Sequence, residues 1–119
     1  MKRILIVDDE MIILDMLTEF FEFKGYQVIS ASTEAEAKLS FEANKNDINV
    51  VILDMLLKHT TSEDLFFYMK QLKPELKIMI SSGLSLDEFD EDLKKLTWQF
   101  VKKPYVIDDL VNLVDQAYH

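Results

Sequence analysis

There is no cysteine in this sequence, so no disulfide can staple the fold, and the chain suits a reducing compartment. Glycine and proline are scarce, two of each in 119 residues, which leaves no linker-like stretch at which to divide the chain. Long apolar runs are missing too. At the N-terminus only Ile4, Leu5, Ile6 and Val7 stand together before two aspartates, far short of a signal-peptide core or a membrane span. Positive charge is in deficit, with 13 Lys and Arg against 22 Asp and Glu, a net charge of −9 and a pI near 4.6. Such a field repels phosphate backbones, so the chain is not expected to grip nucleic acid by itself. These absences lead us to expect a soluble, cytoplasmic protein with no membrane segment.

What remains is globular in make-up, 49% hydrophobic and 29% charged, and long enough to bury a core as one domain over residues 1–119. No internal repeat or low-complexity tract interrupts it. Ile4 to Val7 is rich in β-branched residues and lacks polar alternation, as expected of a strand covered on both faces. From Met11 to Lys24, the residues Ile13, Leu14, Leu17, Phe20 and Phe21 recur at helical spacing, with Gly25 as the stop. Tyr26 to Ala31 reads as a weaker strand, and Ser32 or Thr33 can cap a helix to about Ala43 with Ala37 and Phe41 inward. After a polar loop over Asn44 to Asn49, Val50 to Leu53 is the clearest buried strand. Thr60 with Glu63 offers a capping box for a helix carrying Leu65, Phe66, Met69 and Leu72. Pro74 precedes a strand at Ile78 to Ile80. A helix from about Leu86 to Leu96 is acidic first and carries Lys94 and Lys95 last, as the helix dipole favours. A strand from Trp98 to Val101 and a helix from Ile107 to Tyr118 complete the pattern.

Five strand–helix units in alternation imply a doubly wound, five-stranded parallel sheet with right-handed crossovers and helices on both faces. The expected strand order is 2-1-3-4-5. Sheets of this kind bind ligands beyond the carboxyl ends of their strands, where the order reverses. Four stretches deliver polar groups there: Asp8 and Asp9 after the first strand, Asp54 after the third, Ser82 after the fourth and Lys103 after the fifth.

Three crowded acids repel one another, and a hard divalent cation such as Mg²⁺ with oxygen ligands resolves the conflict. A softer metal is poorly served, since only His59 and His119 supply nitrogen and there is no cysteine. With a cation present, one aspartate is spared as a nucleophile and can form an aspartyl phosphate. Lys103 supplies compact positive charge for phosphoryl oxygens, Ser82 a rotatable hydroxyl, and Gly83 room for a donor to approach. Each motif alone also occurs as a plain turn or cap; all four in this order point to phosphoryl chemistry.

At these residues the sequence resembles the receiver domain of two-component response regulators, the CheY-like family, over essentially its whole length. The resemblance implies a flavodoxin-like (βα)5 fold and a Mg²⁺-dependent switch that takes a phosphoryl group from a phosphohistidine donor. By that resemblance Asp54 is the phosphoacceptor, and Asp8, Asp9, Asp54 and the backbone carbonyl of Leu56 hold the metal. Ser82 is the hydroxyl switch residue, Lys103 the phosphoryl contact, and Phe100 the aromatic switch. A cis Lys103–Pro104 bond is also implied.

Two usual features are replaced, a proline and a glycine after the phosphoacceptor, by Lys58 and Ser62. The Gly-Ala pair that usually precedes the aromatic switch is also missing, around Leu96 and Thr97. Apolar Leu56 and Leu84, each two residues beyond a site residue, imply slow self-dephosphorylation. The implied partners are a sensor histidine kinase or histidine phosphotransfer protein, docking near the first helix, and a downstream effector domain or protein. Output would pass through the last strand and its flanking helices, where Leu86, Phe89, Tyr105 and Val106 offer apolar contacts, with a phosphorylation-dependent dimer as one form. Beyond catalysing its own phosphorylation and dephosphorylation, the chain is not expected to be an enzyme. Two other readings stand beside this one: a Mg²⁺-dependent phosphohydrolase with an aspartyl-phosphate intermediate, disfavoured because Leu56 occupies the place of its second acid, and a phosphorylation-independent scaffold.

Overall fold

Apolar strands flanked by amphipathic helices build a parallel sheet covered on both sides. The structure, a computed structural model, describes residues 2–57 and 60–118. Lys58, His59 and His119 lie outside them. In chain order the elements are β1 (Arg3–Val7), α1 (Met11–Phe23), β2 (Gln27–Ala31), α2 (Glu34–Asn44), β3 (Ile48–Asp54), β4 (Leu56–Leu57), β5 (Thr60–Thr61) and α3 (Glu63–Leu72). They continue with β6 (Lys77–Ser82), a 3-10 turn (Leu86–Glu88), α4 (Glu91–Leu96), β7 (Gln99–Lys102) and α5 (Ile107–Gln116). The main sheet runs β2-β1-β3-β6-β7, all parallel. With the separate two-residue ladder β4–β5 set aside, this is the expected order 2-1-3-4-5.

Alternate residues of the central strands feed two cores. Leu5, Val7, Val51, Leu53, Ile78 and Ile80 point to the layer of α2, α3 and α4, where Phe41, Phe66 and Leu93 pack. Ile4, Ile6, Val50, Ile52 and Met79 point the other way, against Leu14, Leu17 and Phe21 of α1 and Leu110, Val111 and Val114 of α5. Burying one such side chain contributes about 1.5–3 kcal/mol, so the paired layers fix the sheet firmly. Gly25 ends α1 at φ 95°, a left-handed backbone that glycine adopts without penalty.

Local details differ from the sequence reading for identifiable reasons. Thr33 caps α2 as expected, accepting a hydrogen bond from the Glu36 N–H. Thr60, expected to open a capping box, instead pairs within the β4–β5 ladder, and α3 begins after Ser62. The helix expected over residues 86–96 is broken. Ser85 and Glu88 close a capping box on the 3-10 turn, Phe89 turns into the core at 6% exposure, and Asp90 caps a shorter α4. Phe89 therefore belongs to the core and not to an output surface, while Val106 is 62% exposed.

At the amino ends of the strands, Lys73 works as a staple. Its Nζ donates to the Lys45 carbonyl at 2.6 Å, the Ile48 carbonyl at 2.5 Å and Asn49 Oδ1 at 3.2 Å, joining the end of α3 to the end of α2 and the start of β3. Hydrogen bonds to a charged group contribute about 1.5–3 kcal/mol. Lys73→Met is therefore expected to lower unfolding free energy by about that amount in denaturant titrations, and an unchanged midpoint would exclude the staple.

Candidate functional site

Because the strands are parallel, β1, β3, β6 and β7 all end on one side, and the site forms from the residues at or just beyond each strand's end. Asp8, just beyond β1, is 2% exposed; its N–H donates to the Ala31 carbonyl at 3.1 Å and its Oδ1 accepts from the Glu10 N–H at 2.9 Å. Asp54 closes β3 at 4% exposure, with Oδ1 accepting from the Leu56 N–H at 3.1 Å. Ser82 ends β6, fully buried, its Oγ accepting from the Leu84 N–H at 2.9 Å. Lys103 comes directly after β7, and its N–H donates to the Ser82 carbonyl at 2.7 Å. The Lys103–Pro104 bond is cis.

The Lys103 ammonium draws these strand ends together. Nζ lies 3.0 Å from Asp54 Oδ2, 3.1 Å from Asp8 Oδ2 and 3.4 Å from Glu10 Oε1. Carboxylate oxygens of Asp8, Glu10 and Asp54 all lie within 4.8 Å of one another. Asp9, half-buried at the same strand end, is not in that trio. Glu10 was missed in the sequence, although Asp8-Asp9-Glu10 stand in a row. Its side chain stays largely exposed, and its carboxylate reaches the site through Lys103, a contact between residues 93 positions apart that no local pattern shows. Leu56 is 42% exposed, and Phe100 is half-buried in β7 against the α2–α3–α4 core.

One ammonium does not balance three carboxylates. Burial pushes the Asp54 carboxyl up to about 6, the Asp8 charge adding to it, while the Leu56 N–H and Lys103 pull the other way. Burial alone would lower Lys103, but its hydrogen bonds and charge pairing with Asp54 and Asp8 overcome this and hold it above the ordinary lysine value. The pair is therefore a charged lysine beside an acid that remains hard to ionise. A site short of positive charge and lined by carboxylate oxygens fits a hard divalent cation.

The chain matches the response regulator receiver domain family over residues 4–115, and it belongs to that family. Among curated proteins it is similar to the response regulator SaeR of Staphylococcus aureus, 29% identical over 114 residues, which cover 93% of this chain and 48% of SaeR. The chain thus spans about half the length of the curated relatives it matches. Among solved structures it is similar to a response regulator receiver domain protein from Clostridium thermocellum, with a TM-score of 0.88 and 29% identity over 98% of this chain and 94% of that one. Response regulator TrrA of Thermotoga maritima in complex with Mg²⁺ and BeF matches at a TM-score of 0.84 and 26% identity, covering 98% and 99%. A complex of histidine kinase ThkA with TrrA matches at a TM-score of 0.85 and 27% identity, covering 100% of both chains.

The raised Asp54 value has a sign that can be tested. Its folded value of about 6 exceeds the ordinary value of 3.8, so the native state holds the proton more tightly and ionised Asp54 opposes folding above pH 6. Without divalent cation, Asp54→Asn is expected to stabilise the protein at pH 7.5 by on the order of 1–2 kcal/mol. That gain should shrink as pH falls through 6 and vanish below about 4, as followed by denaturant melts at each pH. A gain that persists at low pH would contradict the charge account.

Proposed function

We propose that this chain is the phosphoryl-accepting switch of a cytoplasmic two-component phosphorelay, with Asp54 as the acceptor. The buried Asp54 carboxylate at the end of β3, 3.0 Å from the Lys103 ammonium, is the observation that carries this reading. Asp54 attacks the phosphorus of a phosphohistidine; the new O–P bond forms as the P–N bond breaks, and its electron pair returns to the imidazole ring. Lys103 then faces the phosphoryl oxygens, and the Ser82 hydroxyl rotates from the Leu84 N–H towards them. Asp8, Asp9, Asp54 and the Leu56 carbonyl would hold Mg²⁺, with Glu10 beside them. When bound, that ion supplies the positive charge the transferring phosphoryl group requires.

The phosphoryl group carries about −1.5 to −2 charge in place of the single negative charge of the Asp54 carboxylate it consumes, and this larger charge biases an existing equilibrium between two arrangements of Ser82, Phe100 and the β7 surface. The altered face of α4, β7 and α5 would regulate an effector domain or protein, or form a dimer. Relatives about twice as long are compatible with an attached effector. Outside its own phosphorylation cycle the chain performs no catalysis in this reading. Leu56, where a phosphohydrolase of this type places a second acid, supports a switch over a hydrolase.

Intact mass after incubation with Mg²⁺ and a small acyl phosphate tests this directly. Wild type is expected to gain one phosphoryl group that persists for minutes after the donor is removed, and Asp54→Ala none. Labelling of Asp54→Ala would overturn the assignment, and steady hydrolysis of phosphate esters would favour the enzyme reading.

The phosphodonor surface is proposed on α1. Met11, Ile12, Met16 and Phe23 are 53%, 84%, 42% and 86% exposed, interleaved with the acids Asp15, Glu19 and Glu22. A groove of about 590 Å³ between Met16, Phe20, Phe23 and Asp108 continues it. An apolar helix face rimmed by basic residues is the complementary shape and charge. Ile12→Glu should slow transfer from a phosphorylated histidine kinase at least tenfold while leaving acyl phosphate labelling unchanged. Equal transfer to both proteins would remove α1 from the docking surface.

A further inference from the structure

We propose that Ser62 is a positioning residue, a clasp that fixes the two peptide units leading from Asp54 to Leu56 and so presents the Leu56 carbonyl to the metal. The inference rests on the metal role proposed for Asp8, Asp54 and Leu56.

Ser62 occupies the N-cap position of α3, where a serine hydroxyl normally accepts from an N–H of the first turn. Here it makes no such bond. The fully buried hydroxyl turns backwards and donates to the Asp54 carbonyl at 3.0 Å. In addition, the Ser62 N–H donates to the Met55 carbonyl at 2.9 Å. One residue thus holds both carbonyls that precede Leu56.

The opposite edges of the same peptide units are held as well. The Met55 N–H donates to the Ser81 carbonyl at 3.1 Å, and the Leu56 N–H to Asp54 Oδ1 at 3.1 Å. All four polar groups of the 54–55 and 55–56 peptide units are therefore engaged, and neither unit can rotate without breaking two bonds. The next carbonyl along the chain is that of Leu56. A ligand whose peptide is already oriented loses less entropy on binding, so the hydroxyl acts on metal affinity through preorganisation.

Calorimetric titration of the full chain with MgCl2 tests the inference, with wild type, Ser62→Ala, Ser62→Gly and Asp8→Asn compared well below their melting temperatures. Both hydroxyl-free variants are expected to bind Mg²⁺ roughly three- to tenfold more weakly, the scale of one buried hydrogen bond. Glycine provides the measurement should alanine impair folding. Lowered Tm with unchanged Mg²⁺ affinity, while Asp8→Asn still weakens binding, overturns the clasp and leaves the metal reading intact. Unchanged affinity in Asp8→Asn overturns the metal reading, and the clasp with it.

Discussion

A single ammonium among three carboxylates is the interaction on which the functional end of this sheet depends. Two of the acids, Asp8 and Asp54, are almost fully buried, and like charges about 4 Å apart repel by roughly 4 kcal/mol even at an effective dielectric of 20. Lys103 relieves part of that repulsion and in doing so ties the ends of β1, β3 and β7 together. Burial first, and the Asp8 charge as a smaller addition, still leave the Asp54 carboxyl raised. Folding therefore leaves a place where added positive charge is stabilising, and cation binding is coupled to stability by mass action. In the proposed switch a phosphoryl group on Asp54 makes the excess of negative charge larger and gives Lys103 a stronger partner than Asp8 or Glu10.

That balance requires ångström-scale placement, which the sheet supplies. β1, β3 and β6 are buried on both faces, so their ends are fixed by packing on two sides. β7 is softer, being half-buried at the edge of the sheet, and its position is set by pairing with β6 and by the Lys103 N–H on the Ser82 carbonyl. Asp54, the acceptor in the proposed switch, thus stands on a strand packed on both faces, and Lys103 and Phe100 stand on or beside the half-buried edge strand. A switch needs this division: the reacting atom must hold still while its readers move.

Much of this was legible because it rests on short-range chemistry. Buried parallel strands are written as unbroken apolar runs such as Val50 to Leu53, and a carboxylate placed directly after such a run lands at the carboxyl edge whatever the loop does. The placing of Asp8, Asp54, Ser82 and Lys103 at strand ends followed from such runs, while the order 2-1-3-4-5 was the one expected of a doubly wound sheet. The features that stayed hidden depended on which of several polar partners a residue chooses. Ser62 and Thr60 both had the chemistry of a cap, yet one hydroxyl found the Asp54 carbonyl and the other residue joined the β4–β5 ladder. Phe89 sits in an acidic stretch with helical spacing, and only the space beneath the 3-10 turn drew it into the core. Glu10 meets the site through Lys103, far away in sequence, while its N–H bonds to Asp8. None of these choices has a periodicity to reveal it.

The two ends of the sheet use lysine in different ways. At the amino edge, Lys73 and Lys70 are wrapped in backbone carbonyls, at 2.5–2.8 Å to Lys45, Ile48, Pro74 and Leu76. Carbonyl dipoles do not titrate and cannot be phosphorylated, so these bonds hold the two cations steadily, with the Glu75 charge acting on Lys70 from farther off. At the carboxyl edge, Lys103 is held by groups whose charge can change through protonation, metal binding or phosphorylation. The same side chain is a staple where its partners are neutral and, in the proposed switch, a sensor where they are ionisable. It is the partners, set by where each strand ends, that decide which role a lysine plays.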